Sequence, residues 1–322
     1  MSVRPFDWRD FPALHRYRKQ CLFLDSTRLL TQGPRLVPGA FLFSYFSHAT
    51  GVFTFQAADN GKRGPALLGQ VVHPAGCAAA HLSYVTPASA LDFGNITSLV
   101  EHLTVHIGAR GATHLLAEID EVDEAFELLR KAGFATYARQ RIWQITGQPA
   151  GESETTLWKT AKSNDVISVR SLYANLVPGL VQGVEAPPAS QLRGLLYRQE
   201  DEALGYMDIK YGPRGILIQP LIHPDMDRVA ARLVYLLNNL PYRRSRPVYI
   251  NIRSYHSWLE PALEDLGAEA GPRQAVMVRH LAVPAKAERK FALPGLERGH
   301  PEVSAPITRR IRHTHETTRN YR

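Results

Sequence analysis

The sequence predicts an α/β (α+β) chain in which one layered unit, a mixed and mostly antiparallel splayed sheet flanked by helices, occurs twice. Three observations predict it. Strand signals alternate with amphipathic helices, the whole series recurs about 136 residues later, and a short polar stretch separates the two runs. At 322 residues the chain also exceeds the size at which a single core usually stops growing.

In the first run, Leu67, Leu68, Val71 and Val72 make residues 66–72 strand-like. Leu82, Tyr84 and Val85 do the same for residues 81–87, which end at Pro87, a residue that cannot extend a ladder. Ile96, Leu99, Val100, Leu103 and Ile107 then fall on one helical stripe. A strand over residues 113–119 follows. Next comes a helix carrying Phe126, Leu128, Leu129 and Ala132, closed by Gly133 because glycine suits the left-handed residue after a helix. Residues 137–145 read as the last strand.

The second run repeats each step. Residues 203–209 match 66–72, and residues 217–224, ending at Pro224, match 81–87. Val229, Leu233, Leu236, Leu237 and Leu240 trace the matching helix stripe. Residues 247–252 are strand-like, Leu259, Ala262, Leu263 and Leu266 lead to Gly267, and residues 274–281 close the copy. The expected domains are 1–145 and 157–284, joined by a linker at 146–156 rich in glycine, proline and polar residues. Periodicity fades after Pro284, leaving 285–322 as a basic tail expected to be disordered.

A formal charge of +8 suggests an anionic partner, but much of it sits at one end. From Lys286 onward there are nine Lys or Arg against four Glu. The tail's Arg309, Arg310, Arg312, Arg319 and Tyr321 could touch nucleic acid, yet a solubilising role is the expectation, with no nucleic-acid partner for the rest. Cys21 and Cys77, the only cysteines, give neither a disulfide framework nor a thiolate cage, and no metal is expected. Arg4, Asp7, Arg9 and Asp10 occupy the place of a secretory signal's apolar core, and no apolar run reaches the ~20 residues of a membrane helix. A cytoplasmic, membrane-free protein, monomeric or homodimeric, is expected.

The order of elements, and above all the unit running from Val122 through Leu129 to Gly133 with its weaker counterpart from Leu259 to Gly267, resembles the GNAT superfamily of acetyl-CoA-dependent N-acyltransferases, which includes tandem members. The resemblance implies two splayed strands that receive the pantetheine arm and a following helix whose free N–H groups hold the diphosphate. The family's turn there is glycine-rich. In the first copy, Pro87 to Asn95 holds one glycine and Asp92, whose charge opposes a diphosphate. The second is the better match, and it implies a coenzyme A site of Leu221, Ile222, His223, Arg228, Val229, Ala230, Ala231, Arg232 and Asn251. Without glycine the backbone approaches phosphate less closely.

The family's proton donor is a tyrosine four residues before the last helix's glycine, where both copies carry leucine, Leu129 and Leu263. Tyr255 is the expected substitute, and Tyr249 is a second tyrosine nearby. Among Glu200, Asp201, Glu202 and Asp208, the residues Asp208 and Glu202 are the expected proton relay for the attacking amine. The resemblance implies an N-acetyltransferase using acetyl-CoA or another acyl-CoA, with a small-molecule or peptide amine as acceptor. The other reading is an inactive binding or scaffold protein on the same fold.

Overall fold

The computed structural model of the chain describes residues 2–34, 51–58, 65–149, 151–155, 158–189 and 191–281. The basic tail expected at 285–322 lies outside the described residues. The first copy is built from β1 (Ser2–Pro5), α1 (Phe11–Tyr17), β2 (Leu22–Phe23), α2 (Ser26–Gln32), β3 (Val52–Ala58), β4 (Leu67–Val72), β5 (Ala79–Thr86), α3 (Phe93–Gly108), β6 (His114–Asp120), α4 (Glu124–Lys131) and β7 (Ala135–Ile145). The second holds β8 (Lys159–Thr160), α5 (Val166–Leu176), α6 (Gly179–Gln182), β9 (Gly194–Gln199), β10 (Glu202–Tyr211), β11 (Ile216–Ile222), α7 (Val229–Asn238), β12 (Val248–Arg253), α8 (Glu260–Asp265) and β13 (Glu269–His280). Gly133 and Gly267 both sit after a helix at positive φ, +90° and +76°, where a side chain would be strained.

The strands join in the order β1-β3-β4-β5-β6-β13-β7-β12-β11-β10-β9-β8, with β2 attached to β5. The last strand of each copy therefore lies in the other copy's half of the sheet. β13 pairs with β6, as in Val276 opposite Glu118, and β7 pairs with β12, as in Asn251 opposite Ile142. Hydrogen bonding thus runs one continuous sheet across the expected boundaries at 145 and 157.

Among the described residues each copy contains one parallel pair. β5 and β6 pair over Ala79 to His81 and then part, although β5 runs on to Thr86 and β6 to Asp120. β11 and β12 pair over Ile216 to Ile218 and part in the same way. β11 runs through Pro220, opposite Met207, and ends at Ile222, two residues before Pro224.

Alternation along the strands sorts residues to two faces. Leu115, Ala117 and Ile119 pack with Leu99, Leu103 and Leu129 of α3 and α4 into one core. Ile218, Ile250 and Ile252 pack with Leu233, Leu237 and Leu263 of α7 and α8 into another. The opposite face carries Leu221 and Val276, which pack against Val169, Leu172 and Tyr173 of α5. That face holds most of the polar side chains discussed below.

Candidate active site

The two gaps between parting strands differ. In the first, Leu22 and Phe23 pair with Val85 and Tyr84 of β5. The Leu24 N–H donates to the Ser83 carbonyl at 2.9 Å, and the Glu118 N–H donates to the Leu24 carbonyl at 2.8 Å. The Ser26 N–H then donates to Glu118 Oε2 at 2.9 Å. The chain itself thus fills the gap from edge to edge. The helix that follows is closed too, because the Asp92 carboxylate accepts the Asn95 N–H at 2.7 Å. An extended ligand arm and a phosphate would each need groups already in use.

In the second copy, no described strand pairs into the gap between β11 and β12. α7 starts after Arg228, which is left-handed at φ 50° and provides no side-chain cap. Its first N–H groups keep their partial positive charge. Arg228 lies 3.2 Å from Glu154 and 3.8 Å from Glu152. Arg232 stacks on Tyr197 at 4.6 Å and donates from Nε to the Asp227 carbonyl at 2.7 Å. His223 and Asp225, 3.5 Å apart, stand beside this turn. Arg228 and Arg232 bring positive charge to this turn, Glu152, Glu154 and Asp225 oppose it, and Val229, Ala230 and Ala231 stand where glycines would bring backbone closer.

Past β12 a turn of Ser254–Leu259 carries Tyr255 and His256, rings 4.8 Å apart. His256 is buried, and its Nε2 has no hydrogen-bond partner among the described residues. Burial drives its pKa down to about 4, against a weaker opposing contact with the Ile222 backbone. The ring is therefore neutral at pH 7. Burial also raises the pKa of Tyr255, which keeps its proton.

On the face opposite α7, a cleft of about 770 Å³ is lined by both copies. Glu118 and Tyr137 come from the first, and Glu185, Asp208, Asn251 and Arg253 from the second. Arg253 Nη2 donates to Glu185 Oε1 at 2.5 Å, and the Tyr137 hydroxyl donates to the same oxygen at 2.8 Å. The Tyr173 hydroxyl donates to the Glu185 carbonyl at 3.1 Å. Burial works against the Arg253 charge, yet Glu185, Tyr137, Glu118 and Tyr255 outweigh it and raise the pKa. Burial raises the Asp208 pKa, opposed by Lys210, Arg193 and Tyr206. Asp208 is thus a stronger base than an exposed carboxylate.

The structure brings Tyr255, Asp208, Leu221 and Asn251 to this cleft. Ile222 faces the α7 core, and His223, Arg228, Val229, Ala230, Ala231 and Arg232 gather at the α7 end. Glu202 does not join them: it is exposed, next to the left-handed Glu200 and Asp201 of the β9–β10 turn. A tight turn at a strand end points its carboxylate to water, so Glu202 and Asp208 are not one relay. Leu129 and Leu263 are both buried in apolar cores and offer no proton. Sequence reading missed Glu118, Tyr137, Tyr173, Glu185 and Arg253. Strand alternation offered a signal for two of them: Glu118 interrupts the face opposite Ala117 and Ile119, and Arg253 lies two residues after Asn251.

Among the described residues, no helix is long and apolar enough to cross a membrane. No group of three or more His, Cys, Asp or Glu there is placed to hold a metal.

No protein-family model matches the chain, and no curated protein matches it. Solved structures do. A GCN5-related N-acetyltransferase from Sphaerobacter thermophilus matches with a TM-score of 0.53 at 14% identity, over 87% of this chain and 95% of that one. A putative acetyltransferase from Pyrococcus horikoshii matches at 0.49 and 14%, over 88% and 90%. A tandem GNAT protein from the clavulanic acid biosynthesis pathway matches at 0.43 and 15%, over 87% and 98%. At such identities the likeness speaks for fold. Together with the two parting strand pairs, the first match shows that this chain has the fold of the GNAT N-acyltransferases.

Proposed function

We propose that the chain is an acyl-CoA-dependent N-acyltransferase with one working site, in the second copy. The observation that carries this reading is the asymmetry of the two gaps. The first is filled by residues 22–24 and its helix is capped by Asp92, whereas no described strand pairs into the second, which opens at a helix end with no side-chain cap beside Arg228 and Arg232. Acetyl-CoA or another acyl-CoA supplies an activated thioester. The α7 N–H groups, Arg228 and Arg232 are the groups to hold its phosphates, and Leu221, Ile222 and His223 form the strand edge beside its arm.

The acceptor, a small-molecule or peptide amine, enters from the opposite cleft. Asp208 takes a proton from the incoming ammonium, a role suited to its raised pKa. Tyr255, kept protonated, hands a proton to the departing sulfur. The first copy's part is to wall the acceptor cleft with Glu118 and Tyr137.

Specific observations favour the second reading, a binding or scaffold protein. Leucine replaces the family's tyrosine in both copies, and Glu152 and Glu154 already face Arg228 where phosphate would lie. Thermal shift with acetyl-CoA separates the two. A ligand at 100 times its Kd adds about 2.7 kcal/mol of stability, so a clear rise in Tm is expected. No rise at millimolar acetyl-CoA removes the enzyme reading.

A further inference from the structure

We infer that the acceptor cleft reads an uncharged amide group, which makes the acceptor a peptide-like amine and not a simple diamine or polyamine. The amine's chemical fate rests on the acyltransferase reading, but its binding does not.

The first ground is a line of three amides and a carboxylate across four strands drawn from both copies. Asn251 Nδ2 donates to Gln140 Oε1 at 3.0 Å, Gln140 Nε2 to Gln274 Oε1 at 2.9 Å, and Gln274 Nε2 to Asp120 Oδ1 at 3.0 Å. The line has one possible polarity. A carboxylate oxygen only accepts, so Asp120 forces the Gln274 nitrogen toward itself, and each amide fixes the next. At the far end Asn251 must turn its nitrogen to Gln140, which leaves its carbonyl oxygen over. The Ser26 hydroxyl, donating to Gln274 Oε1 at 3.2 Å, agrees with this direction.

The second ground is what the line ends on. Asn251 and Arg253 both line the cleft and are each only 6% exposed. Asn251 Oδ1, Arg253 Nε and Arg253 Nη1 have no hydrogen-bond partner among the described residues. Two residues apart on one strand face, they are an acceptor beside donors. A secondary amide presents the complement, one N–H and one carbonyl.

Charge is the third ground. Among the described residues the lining holds Glu118, Glu185 and Asp208 against Arg193, Lys210 and Arg253. Arg253 is already paired with Glu185, and Asp208 feels Lys210 and Arg193. A cleft so balanced gives a polycation or polyanion little advantage, whereas a neutral group satisfies the free atoms without upsetting the pairs.

The test uses the full chain and three probes: the dipeptide amide glycylglycine N,N-dimethylamide, whose one amide N–H is the internal one, the matching ester in which oxygen replaces that N–H, and 1,4-diaminobutane. Calorimetry without acetyl-CoA is expected to show the dipeptide amide binding roughly tenfold tighter than either other probe, the worth of one buried hydrogen bond. Asp120→Asn frees the line to reverse, so the amide-to-ester ratio should fall toward one. Tm is recorded for the variant, and the ratio is read below it, on folded protein. Equal binding of amide and ester, binding of the diamine as tight as the amide, no binding of any probe at millimolar concentration, or an unchanged ratio in Asp120→Asn would overturn the inference. Acetylation is then assayed separately. Amide binding without acetyl transfer defeats the acyltransferase reading alone, while transfer to the diamine as efficient as to the dipeptide defeats this inference alone.

Discussion

Replacing Glu185 by leucine leaves Arg253 charged, buried and without the carboxylate it donates to, and the consequence can be sized. The two side chains are 19% and 7% exposed. Breaking a buried pair from one side costs about 3–5 kcal/mol, and partial exposure of Glu185 favours the lower end. Tyr137 also loses the acceptor of its hydroxyl, about 1 kcal/mol more. A loss of about 3–4 kcal/mol is therefore expected. For a folded unit of about 280 residues, unfolding entropy is near 0.6 kcal/mol per kelvin, so Tm should fall by about 5–7 °C. Scanning calorimetry at neutral pH reads this directly. The double variant Glu185→Leu with Arg253→Met puts apolar groups on both sides and should recover most of the loss, since neither charge is stranded. A single variant that melts within a degree of the parent, or a double variant that loses as much as both singles added, would show that the pair does not hold the cleft.

Three other outcomes follow from the same geometry. Arg228→Glu with Arg232→Glu should erase the acetyl-CoA thermal shift, whereas Asp92→Asn should not create a second binding site, because residues 22–24 still fill the first gap; titration calorimetry counts the sites. His256 has a folded pKa of about 4 against 6.5 for a free ring, so the unfolded chain binds more protons between those values and stability falls as pH drops from 6.5 toward 4, by up to ~1.4 kcal/mol per unit. His256→Phe should flatten that acid limb in urea unfolding, and an identical limb in the variant would assign it to another group. Residues 1–146 made alone should fail to give a monomeric fold, since β6 loses β13 and β7 loses β12; a soluble monomer with native-like spectra would count against the exchanged strands.

Most of the fold was legible because it lies in local pattern. The stripe of Ile96, Leu99, Val100, Leu103 and Ile107 is buried as its spacing requires, and the glycines that close helices are left-handed as expected. The exchange of β7 and β13 was not legible, because strand pairing across a long loop leaves no trace in periodicity. The site was half legible. Asp208 and Asn251 on strands and Tyr255 just past one were singled out and line the cleft, but Glu185 sits in a proline-flanked loop whose composition says only that it is a loop. Glu202 misled because acidity was visible and direction was not. Burial of Arg253 was equally hidden, for a charge at the end of a strand reads as solvated until a partner 68 residues away is found beside it.

The exchanged strands also explain why two copies of one unit can share a single site. β13 and β7 stand side by side at the middle of the sheet, so each carries one residue of the amide line, Gln274 and Gln140, between Asp120 of the first copy and Asn251 of the second. Had each last strand stayed with its own copy, β6 and β12 would each lose the neighbour that carries its partner amide. The first copy could then close its own gap only by becoming a separate inert unit. With the exchange, closing that gap leaves the first copy's parting strand in use, because Glu118 still faces the common cleft while its backbone N–H anchors residue 24. On the proposed function, loss of one ligand gap and retention of both copies are thus compatible: the first copy's sheet serves as a wall and a polarity reference for the site proposed in the second copy.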